Sequence, residues 1–178
     1  MNGNKNDGQE NTENPYQLLK ASQRDILTIK SILKDEDVKL EDNVETVCRS
    51  ASESVEKMVK AFIIKKDKNI KVFGKHDLEE LHKIACTIDK QFEKIEDNVN
   101  FLNNYTTALR YNSPFTIEKH EVKRCLKALK KVYDFPLIKE VRDIINKQEN
   151  FIILPENINT LFGKYNDDTG DYFTPDNT

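Results

Sequence analysis

The segment of residues 48–81 constrains the fold most strongly, because it contains a long amphipathic helix, a basic loop and the start of a second helix. Apolar residues recur at steps of three and four along its first part, which places them on one face of an α-helix. Charged residues fall mostly on the other side and form two i,i+4 pairs in the favourable order, Glu53–Lys57 and Glu56–Lys60. The apolar positions are Cys48, Ala51, Val55, Met58 and Phe62.

A lysine-rich loop connects the two helices of this segment. The first helix must end before Gly74, and residues 65–75 are predicted to form the loop. His76-Asp77-Leu78 then opens the second helix. Asp77 is suited to cap that helix, because a carboxylate can accept hydrogen bonds from the exposed amides of a first turn and is favoured by the helix dipole.

Apolar stripes of the same kind predict helices on both sides of this segment. Each stripe is about one face wide, and apart from the short run 151–154 no segment is typical of a strand. The sequence therefore predicts an all-α fold, an antiparallel up-and-down bundle of four to five helices plus a short C-terminal helix. The expected limits are a first helix starting at Pro15, a second at about 44–64, a third from Asp77 through Phe92, a fourth that carries apolar residues from Ile95 to Leu109 and is stopped by Ser113-Pro114, a fifth capped by Thr116, and a last helix ending near Gln148.

The domain organisation follows from where this periodicity begins and ends. Residues 1–14 are polar without periodicity and are predicted to be a disordered leader. Residues 15–135 form the expected bundle, residues 136–150 add a short helix, and residues 151–178 are predicted to be an irregular acidic tail.

Several kinds of protein are disfavoured by what the sequence lacks. There is no apolar run of about 18 residues and no apolar signal-peptide core, so we expect no membrane span and a cytoplasmic location. The three cysteines form no close pair and the three histidines are dispersed, so neither a disulfide framework nor a metal site is expected. No glycine-rich phosphate loop occurs, and we expect no cofactor.

The charge is unevenly distributed, although the net charge is only −3. Residues 57–75 contain seven lysines and one aspartate, and residues 119–131 contain five lysines and one arginine against one glutamate. Basic patches of this size suit a nucleotide or RNA partner. The alternative is that they are solvated helix faces with local ion pairs.

Four residues outside the apolar stripes are candidates for a site. His76 lies where the basic loop meets a helix and can face a partner, or it can simply fix the start of that helix. His120 lies early in the fifth helix among basic residues and can be merely exposed. Arg110 and Tyr111 end the fourth helix, where an arginine is favoured by the helix dipole and can bind a phosphate with two hydrogen bonds.

Three parts of the sequence together resemble one known family. They are the helix 51–61 with its EKxxKA pattern, the His76-Asp77-Leu78 that follows the basic loop, and the segment 102–111 with Tyr105 and Arg110-Tyr111. In this order and spacing they resemble the HEPN domain family (higher eukaryotes and prokaryotes nucleotide-binding) over about residues 15–134. The resemblance implies a helical bundle, a homodimer, nucleotide or RNA binding, and in many members a minimal nucleotidyltransferase partner in a toxin–antitoxin pair.

Some members of that family are metal-independent endoribonucleases with an Arg-x4–6-His motif, in which Arg steadies the phosphate and His handles a proton. This chain has no arginine followed by histidine at that spacing. Lys71 and His76 have a suitable spacing, but lysine does not replace the planar guanidinium group of arginine.

Three hypotheses remain open from the sequence. The first is a binding module that contacts phosphates through the loop and the end of the fourth helix, with Lys71, Lys75, His76, Arg110 and Tyr111 as its binding residues. The second is an endoribonuclease that uses Arg110 with His120 or His76. The third is a non-catalytic bundle that binds another protein.

Overall fold

The computed structural model describes residues 14–34, 39–107, 117–149, 164–165 and 172–173. Within these residues the chain forms six α-helices, and the predicted all-α bundle is confirmed. The helices are α1 (Pro15–Lys34), α2 (Val44–Lys66), α3 (Leu78–Ile88), α4 (Glu96–Thr107), α5 (Lys119–Tyr133) and α6 (Pro136–Glu149).

Shorter elements complete the described chain. Two 3₁₀ helices, Leu40–Asn43 and Lys90–Ile95, lead directly into α2 and α4. Two strands of two residues each, β1 (Lys164–Tyr165) and β2 (Tyr172–Phe173), pair in antiparallel orientation. The leader and the tail predicted from the sequence otherwise lie outside the described residues, so the predicted domain boundaries stay predictions.

Helix α2 is the centre of the bundle, because α1, α3, α4, α5 and α6 all pack against it. It buries the predicted apolar stripe and also residues that lie off that stripe, including Val59 and Ile63. The sequence placed Glu56 and Lys60 on the side away from the stripe, and we find both of them buried. That prediction assumed one covered face, whereas a helix surrounded by five others has almost no exposed face.

Helix three is shorter than the spacing of its apolar residues predicted. It ends at Ile88, and Phe92 belongs to the following 3₁₀ helix. Asp89 causes the change, because its side chain accepts a hydrogen bond of 2.9 Å from the backbone N–H of Gln91 and so starts the new element. Phe92 is nevertheless fully buried, and its ring lies 4.5 Å from that of Phe62.

The two predicted helix caps have different outcomes. Asp77 is confirmed as the N-cap of α3, since its carboxylate accepts hydrogen bonds from the backbone N–H groups of Glu79 and Glu80. The prediction of Thr116 as the cap of α5 is wrong, because α5 begins at Lys119 and its N-cap is Glu118. Glu121 stabilises this start by accepting a hydrogen bond of 3.1 Å from the backbone N–H of Glu118.

Buried hydroxyl groups fix how α2 sits against its neighbours. The Ser22 and Ser54 hydroxyls are 2.8 Å apart between α1 and α2, and the Ser52 hydroxyl donates to the carbonyl of Leu102 in α4, also at 2.8 Å. A buried polar group without such a partner is costly, so these bonds disfavour other registers. Among the described residues, no helix combines the length and apolar character needed to cross a bilayer.

Candidate nucleic-acid interface

The loop between α2 and α3, residues 67–77, carries three of the six predicted site residues, Lys71, Lys75 and His76. It begins where the N–H of Asp67 donates to the carbonyl of Ile63 at the end of α2. Val72 is fully buried and anchors the middle of the loop to the core. The loop then turns outward at Gly74, whose φ of 73° is a conformation that favours glycine.

His76 closes this loop and is held by a carboxylate of α2. Its Nδ1 lies 2.9 Å from Oε1 of Glu56, and the same Oε1 lies 3.1 Å from Nζ of Lys60. The side chains of Glu56 and Lys60 are 7% and 2% exposed, whereas that of His76 is 46% exposed. The buried Glu56–Lys60 ion pair is therefore hydrogen-bonded, through Glu56, to a half-exposed imidazole ring at the surface.

This arrangement has a chemical consequence for the imidazole. A carboxylate accepts hydrogen bonds, so a neutral His76 donates its Nδ1–H to Glu56. Its Nε2 then carries the lone pair, which can accept a proton or a hydrogen bond from a ligand. When His76 is protonated, the ring becomes a cationic donor in the same orientation, because Glu56 holds it in both states.

The start of α3 beside His76 is fixed by α4. The side-chain oxygen of Asn103 accepts a hydrogen bond of 2.9 Å from the backbone N–H of Leu78. The amide group of Asn103 also donates to the carboxylate of Asp77 at 3.3 Å. The C-terminal end of the loop is therefore attached twice, to α2 through Glu56 and to α4 through Asn103.

The two predicted lysines of the loop differ in their surroundings. Lys71 is exposed, and among the residues that the structure describes its ammonium group has no ion-pair partner. Lys75 is half-buried and forms an ion pair with Glu80 in the first turn of α3. Lys71 is therefore the freer of the two cations for an external anion.

The remaining predicted site residues are not brought together with His76 in the described parts of the chain. His120 is 64% exposed at the start of α5, where its Nδ1 lies 3.1 Å from a carboxylate oxygen of Glu118. Arg110 and Tyr111 lie outside the described residues, so their predicted roles stay predictions.

Tyr105 connects α4 to the same end of α5 that carries His120. Its hydroxyl donates a hydrogen bond of 2.8 Å to Oε1 of Glu121. Burial, together with this bond, raises the pKa of Tyr105 well above its usual value. The hydroxyl therefore stays protonated and acts as a structural donor.

Two residues of the site, Glu56 and Phe73, were not predicted as site residues from the sequence. Glu56 was identified as half of an i,i+4 pair and as part of the EKxxKA pattern but not as a site residue, although the off-stripe apolar residues Val59 and Ile63 were a sign that α2 is covered on a second face. Phe73 was not singled out, and its ring is 61% exposed at the tip of the loop. The sequence signal for Phe73 was a large aromatic residue next to a glycine, in a predicted loop with a lysine two residues away on each side.

A cleft of about 380 Å³ lies elsewhere, where the start of α1 meets the ends of α2 and α6. Its lining includes Pro15, Lys65 and Gln148, and it contains none of the predicted site residues. Within the described ranges, no group of three or more His, Cys, Asp or Glu side chains is arranged to hold a metal ion.

The described residues of the loop site offer two cationic groups, those of Lys71 and Lys75, and the oriented imidazole of His76, which together suit a phosphate.

Comparison with known proteins gives one family. The family model described as "HEPN domain" matches residues 18–152, which is more than half of the chain and includes helices α2 to α6 in full. No curated protein and no solved structure gives a significant match to the chain.

Proposed function

Since the chain belongs to the HEPN domain family, we propose that it binds the phosphates of RNA or nucleotides through the α2–α3 loop. The observation that supports the proposal is the oriented imidazole of His76, which Glu56 of a buried ion pair holds in the same loop as the exposed Lys71. Lys75 contributes positive charge, and Arg110 and Tyr111 are proposed as further contacts.

The physical basis of the proposal is that phosphate contacts supply most of the affinity for a nucleic acid. A phosphate needs cationic donors that can give up some hydration, and Lys71 meets this need on an exposed loop. His76 adds a donor whose direction is fixed by Glu56, which reduces the conformational entropy lost on binding.

We extend the proposal to the assembly in which the protein acts. A homodimer, a minimal nucleotidyltransferase as partner and a toxin–antitoxin role are the arrangements that the family resemblance implies, and a cytoplasmic location fits them. They are tested by the mass of the protein in solution and by capture of a nucleotidyltransferase encoded beside it.

A second function, metal-independent cleavage of RNA, is favoured by one specific contact. The Glu56 carboxylate holds Nδ1 of His76, so Nε2 is the ring nitrogen left to accept a proton from a 2′-hydroxyl group as that oxygen attacks the phosphorus. The bond from phosphorus to the 5′-oxygen breaks in the same reaction, and the leaving 5′-oxygen takes a proton from water. In this alternative Arg110 steadies the phosphate, and His120 is the other histidine available for proton transfer.

A single gel assay distinguishes phosphate binding from RNA cleavage. Purified protein is incubated with labelled RNA in EDTA, and cleavage and retention are read together. Retention without cleavage supports the binding module, whereas cleavage that is lost in His76→Ala and kept in His120→Ala supports the nuclease. Cleavage that survives both substitutions excludes both histidines as the proton carrier. RNA that is neither retained nor cleaved would contradict both functions and leave a protein-binding bundle.

A further inference from the structure

Phe73 is exposed in a way that the fold does not require. Among the described residues, the exposed large hydrophobic residues are Leu27, which is 43% exposed, and Phe73, which is 61% exposed. Val72, the residue before Phe73, is fully buried and already anchors the loop. The ring of Phe73 therefore stands at the tip of a loop that is held in place without it.

The space and the charge around this ring suit a planar, negatively charged ligand. A Cβ atom placed on Gly74 would meet no atom within 4 Å, so the space beside the tip is open. Lys71 and Lys75 flank the tip in the sequence, and Lys68 is exposed earlier in the same loop. An aromatic ring with lysines beside it is the pattern by which proteins bind single strands, stacking a base and contacting the backbone.

We propose that Phe73 is a stacking platform for one unpaired base of a single-stranded nucleic acid, whose adjacent phosphates contact Lys71 and the other lysines of the loop. The inference rests on the proposed binding function and adds its ligand class, because a duplex keeps its bases stacked on one another and cannot offer a free face. The lysines on both sides of Phe73 in the sequence favour this ligand over an apolar protein groove, since charged residues are depleted at the core of protein interfaces.

A tryptophan at position 73 tests the stacking directly. The chain contains no tryptophan, so Phe73→Trp introduces a single fluorophore at the tip, and Leu27→Trp places a matched one on α1. The probe is a 12-nucleotide single strand with 2′-O-methyl groups, which prevents cleavage, together with the same strand carrying abasic sites. We expect quenching of the Phe73→Trp fluorescence by the base-containing strand and much less by the abasic strand, with no quenching in Leu27→Trp.

Affinity measurements separate stacking from phosphate binding. Stacking contributes about 1–3 kcal/mol per base, so Phe73→Ala should weaken binding about 5- to 150-fold and leave the salt dependence unchanged. Lys71→Ala should instead make the salt dependence shallower by about one phosphate contact. Phe73→Leu keeps an apolar side chain without an aromatic face, and we expect it to bind nearly as weakly as Phe73→Ala.

The outcomes distinguish this inference from the function on which it rests. If the wild-type protein binds the strand and Phe73→Ala binds equally well, the stacking platform is wrong while the proposed binding function stands. Binding by Phe73→Leu at the wild-type level, or equal quenching by abasic and complete strands, also overturns the platform. If the wild-type protein binds no strand at low salt, both proposals fail together. Far-UV circular dichroism of each variant checks that the fold is retained.

Discussion

Replacing Lys60 by methionine should destabilise the protein far more than the same replacement of a surface lysine. Lys60 is 2% exposed and lies 3.1 Å from the carboxylate of Glu56, which is itself 7% exposed. Removing one member of a buried pair costs about 3–5 kcal/mol, because Glu56 loses the cation that offsets its burial, although it keeps its contact with His76. Since domains of this kind are stable by only about 5–15 kcal/mol, the variant should lose a large share of its stability.

Urea denaturation followed by far-UV circular dichroism measures this loss. With a slope of about 2 kcal/mol per molar urea, a loss of about 4 kcal/mol lowers the midpoint by about 2 M. Lys66→Met is the matched control, because Lys66 ends the same helix and pairs with Glu140 at 2.9 Å while 34% exposed. We expect the control to lose at most about 1 kcal/mol.

A double substitution checks that the pair itself is responsible. Glu56→Leu combined with Lys60→Met removes both charges, so the loss should be smaller than the sum of the two single losses by at least about 1 kcal/mol. Equal losses in Lys60→Met and Lys66→Met, or strict additivity in the double variant, would show that the buried pair does not have the strength that its burial indicates.

Three further predictions concern titration and local structure. Burial raises the pKa of Asp25 to about 6, and the nearby Lys57 offsets only part of this shift, so the contribution of Asp25 to stability is present below pH 3.8 and is lost as the pH rises through 6. Relative to Asp25→Asn, the wild-type protein should lose up to about 3 kcal/mol of unfolding free energy between pH 4 and pH 7. A gain of unfolding free energy over this range would contradict the prediction. Asp77→Ala should cost about 1 kcal/mol in urea denaturation through loss of the α3 cap, whereas Asp77→Asn should cost less because it keeps the acceptor. At pH 8, ¹⁵N NMR should find His76 mainly as the Nδ1–H tautomer, and the Nε2–H tautomer would mean that Glu56 does not hold the ring.

Features set by neighbouring residues could be predicted from the sequence. The stripe of α1 was identified from its spacing, and Leu19, Ile26 and Ile29 are buried. Asp77 was identified as a cap because capping depends on the exposed amides of a single turn. The same local reasoning failed at Phe92, because Asp89 ends α3 while the apolar spacing continues unchanged into a 3₁₀ helix.

Features set by tertiary packing could not be predicted in the same way. The burial of Glu56 and Lys60 depends on how many helices surround α2, and an apolar stripe indicates only that one face is covered. His76 was selected for its position between a loop and a helix. Its carboxylate partner lies twenty residues earlier in the chain, and only the folding of the loop back onto α2 brings the two together.

The salt dependence of RNA binding shows directly whether the α2–α3 loop binds phosphates. Affinities of the wild-type protein and of Lys71→Ala for a non-cleavable single strand are measured between about 50 and 200 mM salt. If the loop binds phosphates, the affinity of the wild-type protein should fall steeply with salt, and the slope for Lys71→Ala should be shallower by about one contact. Binding that does not change with salt, or equal slopes for the two proteins, would contradict phosphate binding by the loop.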